Sequence, residues 1–79
     1  MPKKAFHLIF PPNLIQEPVM FLVARANHLT LNIRRAKITP TSGEATVELE
    51  GKVDDLERAE RVFREKGVKV ENVLGDVIE

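Results

Sequence analysis

The stretch HLTLNIRRAKITPTSGEATVELEG, from His28 to Gly51, decides the fold of this chain. Its second half alternates apolar residues at 45, 47 and 49 with polar ones, as a strand with one solvated face does. Between the halves, TPTSG supplies Pro40 and Gly43, which favour the special backbone angles of turns. The stretch therefore predicts a β-hairpin.

The first strand of this hairpin, LTLNIRRAKI, breaks its own alternation. Its apolar residues share one face up to Ile33, but Ala36 and Ile38 lie on the opposite parity. A slip of one residue turns every later side chain over, and a β-bulge is the economical way to absorb it. We therefore predict a bulge or sharp twist at Arg34-Arg35, which either blunts an edge strand against aggregation or serves a binding site.

Four further elements surround the hairpin, each bounded by proline, glycine or a capping residue. They are a strand at 5–10, a helix at 18–27, a helix between the N-cap Asp54 and Gly67, and a last strand at 68–75. The order strand, helix, strand, strand, helix, strand closes most simply as an antiparallel sheet of four strands with both helices on one face. The sequence predicts an α+β, ferredoxin-like βαββαβ plait whose second sheet face is open.

Length and composition limit the protein to one domain. A chain of 79 residues can bury one core, so we expect a single domain over 1–79 with its core at about 5–75. Twelve Lys and Arg balance twelve Asp and Glu, and the absence of cysteine excludes disulfides and thiolate metal sites. Since a core this small gives little stability, a homodimer is expected.

The chain shows no sign of a membrane segment. The apolar run near its start, in MPKKAFHLIFPP, has six residues, too few for the central region of a signal peptide. No other segment approaches the roughly 20 apolar residues that span a bilayer. We expect a cytoplasmic protein without membrane insertion.

Several short motifs, taken in order, resemble the NIL domain family. They are Glu17-Pro18-Val19 at the start of the first helix, Asn32-Ile33 in the next strand, the strand end at Gly51, and the closing Gly-Val-Lys-Val-Glu at 67–71. The resemblance covers about residues 5–75, and Arg34 stands where the family's Asn-Ile-Leu motif has leucine. No Gly-rich phosphate loop of an ATPase is present in the sequence.

The resemblance implies a small dimeric sensor. The family occurs as the C-terminal regulatory domain of methionine ABC importer ATPase subunits and beside iron–sulfur ferredoxin modules. It implies an amino-acid ligand such as methionine between two copies, and a transporter or ferredoxin partner. The ligand-binding residues it indicates are Asn32 first, with Leu31, Ile33 and Arg34. Alternatively, Asn32 satisfies a backbone group at the strand edge, and an arginine pairs with Glu48 across the hairpin.

A docking surface is the rival hypothesis, because helix 18–27 is apolar almost all round. Its core stripe is expected to comprise Val19, Leu22, Val23 and Ala26. Met20 and Phe21, on the other side, are then candidates for contact with another protein or copy. Alternatively, the loop PPNLI covers that side through Leu14 and Ile15.

An enzyme or a nucleic-acid-binding protein is not indicated. His7 and His28 are isolated from any serine or cysteine nucleophile in the sequence, and Glu48 and Glu50 fall on the solvated strand face. The third strand, TVELEG, lacks the stacking aromatics of an RNA-recognition motif. We therefore expect a non-enzymatic domain with no cofactor, no metal and no nucleic-acid partner.

Overall fold

The computed structural model describes residues 2–73. Its elements are β1 (Lys3–Phe10), a 3-10 turn (Pro12–Leu14), α1 (Val19–Ala26), β2 (Thr30–Ile38), β3 (Gly43–Glu50), α2 (Val53–Glu65) and β4 (Lys69–Asn72). The strands form one antiparallel sheet in the order β2-β3-β1-β4. This order confirms the predicted α+β ferredoxin-like plait. The predicted end of the last strand, at 74–75, lies outside the described residues.

The hydrophobic core lies between one face of the sheet and the two helices. Phe6 and Leu8 of β1 and Val47 of β3 have no exposed surface, and Phe63 of α2 meets them from the helix side. Between them along β1 and β3 lie half-buried residues of the other face, such as His7. This alternation confirms that one sheet face is covered and the other is open.

The predicted bulge is present in β2. Ile33 lies opposite Val47, and the next paired residue of β2, Arg35, lies opposite Thr46, so that Arg34 is the extra residue. Because the bulge adds one residue, the apolar side chains on both sides of it point to the helix-covered face. The break in the alternation is thus absorbed without turning Ala36 or Ile38 over to the open face.

Helix α2 begins two residues earlier than predicted. Lys52, in an extended conformation, is the N-cap, and Asp54 lies in the first turn without acting as a side-chain cap. The predicted N-cap was therefore wrong, although Asp54 and Asp55 still place negative charge at the positive end of the helix dipole. The predicted buried stripe, Leu56 with Ala59 and Phe63, is confirmed.

The end of α2 at Gly67 is confirmed. Gly67 adopts φ 98°, and its N–H donates to the Arg64 carbonyl at 3.1 Å. The Val68 N–H donates to the Phe63 carbonyl at 2.9 Å. These two bonds form a Schellman motif, in which a left-handed residue after the helix satisfies its last carbonyl groups.

Helix α1 ends in the same motif without a glycine. The His28 N–H donates to the Arg25 carbonyl at 3.3 Å, and the Leu29 N–H donates to the Ala24 carbonyl at 2.8 Å. His28 itself adopts φ 58°. A residue with a Cβ therefore occupies a left-handed position that glycine fills at less cost.

The buried side of α1 differs from the one predicted. Val19, Val23 and Ala24 are buried, whereas Leu22 is 50% exposed and Ala26 is also exposed. The placement of Leu22 and Ala26 in the core was therefore wrong. Because the helix is apolar on nearly every side, hydrophobicity alone does not mark which side meets the sheet.

Candidate functional site

The strand that carries the family motif lies at the edge of the sheet. Within residues 2–73, β2 pairs only with β3, so its outer edge has no neighbouring strand. Such an edge presents backbone N–H and C=O groups that another strand can pair with. Asn32 is exposed on this strand, and its Nδ2 donates to Glu48 Oε1 at 3.4 Å across the hairpin.

The four predicted ligand-binding residues point to two sides of the sheet. Asn32 lies opposite Glu48 on the open face, whereas Leu31 and Ile33 lie on the side covered by the helices. Leu31 packs against the core and Ile33 is 40% exposed. The structure therefore brings these residues together only at the edge of β2, where Arg34 alone of the four lines an open cavity of about 440 Å³ within residues 2–73.

The bulge places Arg34 beside the same carboxylate that Asn32 contacts. Arg34 Nη1 lies 3.6 Å from Glu48 Oε2, which is the cross-hairpin pairing expected for one of the two arginines. The contact is partly exposed and contributes less than about 1 kcal/mol to stability. Glu48 thus connects the amide of Asn32 and the guanidinium of Arg34 in one polar cluster on the open face.

Farther along the open face, His7 links two residues of β3. Its Nδ1 lies 3.1 Å from Thr46 Oγ1, and its Nε2 lies 3.6 Å from Glu44 Oε2. A shallow cavity of about 270 Å³ beside them is also lined by Arg35 and Lys37. The order hydroxyl, imidazole, carboxylate resembles that of a hydrolase triad in residue type.

The triad-like group joins two neighbouring strands of the sheet. Thr46 lies on β3, and it is the residue directly opposite His7 of β1. Glu44 lies two residues before Thr46 on the same face of β3. The group is therefore a cross-strand polar contact on the open face, with His7 bridging β1 to β3.

Exposed apolar side chains concentrate where α1 meets β2. Phe21 is 58% exposed and Leu22 is 50% exposed on α1, while Ile33 and Ile38 are 40% and 55% exposed on the helix-covered side of β2. The two elements are in contact with each other. We call these four residues the α1–β2 strip. Its members have the character of an interface rather than of a solvated surface.

An apolar cavity of about 440 Å³ opens at one end of this strip. Residues from β1, the loop before α1, α1 itself and the β2–β3 hairpin line it: Phe10, Leu14, Ile15, Gln16, Glu17, Pro18, Val19, Met20, Phe21, Ile38 and Gly43. Sequence reasoning did not find this cavity. The signal available was the proline-bounded loop at 11–18 next to a helix that is apolar all round.

The two predicted partner-binding residues differ in exposure. Phe21 is exposed, as a contact residue would be, whereas Met20 is half-buried and packs against the core. The loop PPNLI covers α1 only in part, because Leu14 is buried and Ile15 half-buried while Phe21 stays open. Both Met20 and Phe21 line the apolar cavity.

The fold and this edge strand define a small α+β plait of the kind predicted from the sequence. The chain matches the NIL domain over residues 4–72, and it belongs to the NIL domain family. A comparison of the sequence with curated proteins gave no match.

Among solved structures, the fold is similar to the C-terminal domain of an ABC transporter ATP-binding protein from Enterococcus faecalis. The TM-score is 0.81 at 16% sequence identity, and the match covers 95% of this chain and 88% of that chain. At this identity the likeness shows a shared fold.

Membrane-spanning and metal-binding features are not found among the described residues. No helix within residues 2–73 has the length and apolar character needed to cross a membrane. In the same part of the chain, no three histidine or carboxylate side chains cluster in a way that suits a metal ion.

Proposed function

We propose that the chain is a non-enzymatic, cytoplasmic regulatory domain that binds an amino acid such as methionine between two copies and associates with a transporter. Its membership of the NIL domain family supports a regulatory role, and its fold is that of a transporter ATPase's C-terminal domain. The observation that carries the proposal is the open edge of β2, which presents Asn32 beside exposed apolar residues.

A second copy is the natural partner of this edge. Two β2 strands related by a two-fold axis pair antiparallel, which extends the sheet and covers the same residues on both copies. The α1–β2 strip flanks the edge, so that the same contact also removes exposed apolar surface from water.

The polar cluster on β2 and β3 suits the two charged groups of an amino acid. The guanidinium of Arg34 and the amide of Asn32 are hydrogen-bond donors for a carboxylate, while Glu48 is an acceptor for an ammonium group. Ile33, next along the strand and 40% exposed, offers apolar contact. A ligand at the seam between two copies therefore meets both kinds of surface.

Isothermal titration of methionine into the chain, combined with light scattering on the same sample, tests this function. We expect saturable heat from methionine and a scattering mass of two chains. Asn32→Ala is expected to weaken methionine binding about tenfold or more, since a charge-assisted hydrogen bond contributes about 1.5–3 kcal/mol. Thr30→Ala is the matched control, because Thr30 is exposed on the same face of β2 two residues earlier. No heat from methionine or any other amino acid would contradict the proposal.

A docking module for a transporter or an iron–sulfur redox protein is the second candidate. It is favoured by two adjacent large apolar residues, Phe21 and Leu22, which are 58% and 50% exposed. This function predicts a monomer that gives no heat with amino acids. In a titration against a purified partner protein, we then expect Phe21→Ser to abolish binding and Asn32→Ala to leave binding unchanged.

A further inference from the structure

The apolar cavity at the start of α1 is separate from the proposed amino-acid site. Its nearest β2 residue, Ile38, lies six positions from Asn32, about 20 Å along an extended strand. It is formed within one copy and requires no second chain. A volume of about 440 Å³ is within the range of small-molecule pockets.

The cavity is lined mostly by apolar residues, which suits an apolar group. Val19 and Met20 of α1 line it together with Phe10 of β1, Gly43 of β3 and Ile38 of β2. Ile38 is 55% exposed, so a ligand in the cavity covers surface that water now contacts. The absence of a side chain on Gly43 contributes to the open volume, because a Cβ there would point at Ile15 and Phe10.

The mouth of the cavity carries one charge. Glu17 is the only charged residue of the lining, and its carboxylate has no hydrogen-bond or ion-pair partner within residues 2–73. Gln16 beside it supplies a neutral amide. A carboxylate at the mouth attracts a cation and repels another carboxylate, so it selects the charge of the ligand's exposed end.

We propose that this cavity binds small aliphatic amines, with the carbon chain between α1 and the hairpin and the ammonium group at Glu17. The apolar walls accept the carbon chain, and the amide oxygen of Gln16 accepts a further hydrogen bond from the ammonium. The site lies apart from the amino-acid site and needs neither Asn32 nor a dimer.

Three probes of one chain length test the proposal: pentylamine, pentanol and pentanoate, titrated at neutral pH while methyl NMR signals are followed. Pentylamine is protonated there and pentanoate ionised. We expect shifts at the methyl groups of Val19, Met20 and Ile38, with the amine bound about threefold to fivefold more tightly than the alcohol and the acid bound most weakly, since an exposed ion pair contributes up to about 1 kcal/mol.

Substitution of Glu17 separates the charge from the apolar walls. Glu17→Gln keeps the shape of an exposed residue, so the fold is not at risk. In this variant we expect amine and alcohol to bind within about twofold of each other, with alcohol binding unchanged. Equal binding of amine and acid by the unaltered chain, or an amine preference that survives in Glu17→Gln, would overturn the proposal.

Substitution of Gly43 tests the location. Gly43→Ala is the control, because its Cβ would make ordinary contacts with Ile15 Cγ1 at 3.6 Å and Phe10 Cβ at 3.8 Å. Gly43→Leu extends into the cavity and is expected to weaken all three probes by at least about tenfold, at a fold verified by circular dichroism. Asn32→Ala is expected to leave amine binding unchanged, because Asn32 does not line the cavity. The amine site can therefore be confirmed or refuted even if the amino-acid proposal fails. Absence of shifts with every probe would also refute the site.

Discussion

The two helices occupy related places in the plait, since each crosses between two strands of the same sheet, but they are built differently. Helix α2 has 13 residues, of which the buried ones, Leu56, Ala59 and Phe63, repeat at helical spacing among charged neighbours. Helix α1 has eight residues and is apolar on nearly every side. One helix therefore serves the core alone, while the other serves the core and leaves an apolar surface outside it.

This difference is an indication of where function lies. The outer face of α2 is mostly charged, with Val53 as its one large exposed apolar residue, whereas Phe21 and Leu22 of α1 are adjacent and both exposed. The apolar cavity and the open edge of β2 both lie on the side of α1. The side of the molecule that carries α1 is therefore the candidate interaction surface.

The largest expected effect comes from truncating one phenylalanine in each helix. Phe63 of α2 has no exposed surface, so Phe63→Ala is expected to lower the free energy of unfolding by about 3–5 kcal/mol. Phe21 of α1 is 58% exposed, and Phe21→Ala is expected to change it by less than about 0.5 kcal/mol at concentrations where the chain is monomeric.

Urea unfolding followed by far-ultraviolet circular dichroism measures both variants. Phe63→Leu serves as the milder control, because it leaves a smaller cavity, and a loss of less than about 1.5 kcal/mol is expected for it. If Phe21→Ala proved as destabilising as Phe63→Ala in a monomer, the contrast between a buried and an unpartnered helix face would be wrong.

The next effect concerns the residues that end the two helices. Gly67 after α2 and His28 after α1 both adopt left-handed angles, φ 98° and φ 58°. Gly67→Ala is expected to cost about 1–2 kcal/mol, because a Cβ disfavours that conformation. His28→Gly is expected to stabilise the chain by up to about 1 kcal/mol for the same reason.

Thermal unfolding of both variants distinguishes backbone strain from side-chain contacts. No heavy atom outside the chain neighbours lies within 4 Å of the Cβ position at Gly67, so any loss in Gly67→Ala arises from the backbone. A destabilised His28→Gly variant would show that the imidazole makes a contact that outweighs the strain. Unchanged melting temperatures in both variants would mean that a Cβ at these left-handed positions has no measurable cost.

The same comparison explains what the sequence could and could not predict. The buried stripe of α2, its end at Gly67 and the bulge at Arg34 were all predicted, because polar residues or a glycine mark each of them. The buried side of α1 was not, since its residues carry almost no polar contrast. Arg25 was the available marker: on a helical wheel it lies opposite the middle of the buried side, between Phe21 and Leu22.

The candidate sites follow the same rule. The position of Asn32 on an edge strand and the Arg34–Glu48 contact could be expected from strand alternation and hairpin pairing. The cavity could not, because its walls come from β1, the loop, α1 and the hairpin, which meet only in the folded chain. Pairing within one hairpin is local in sequence, whereas a cavity between elements depends on how the helices are oriented.

The smallest expected effect tests the polar face of α2. Glu60 Oε2 lies 3.0 Å from Arg64 Nη2, one turn later, and Glu60 Oε1 lies 3.9 Å from Lys4 Nζ of β1. Glu60→Gln is expected to lower the free energy of unfolding by about 0.3–0.5 kcal/mol, the contribution of a partly exposed pair four residues apart. Most of this loss is expected to vanish at about 1 M salt, where exposed charges are screened.

Urea unfolding at low and high salt gives the measurement, and Glu57→Gln gives the control. Glu57 is exposed on the same helix, and the structure shows no ion pair for it among the described residues. A salt-dependent loss in Glu60→Gln but not in Glu57→Gln would mean that the pair contributes through its geometry. Equal losses would mean that only the total charge of the helix matters, and the polar face of α2 would then stabilise the chain through its solvation and not through specific contacts to β1.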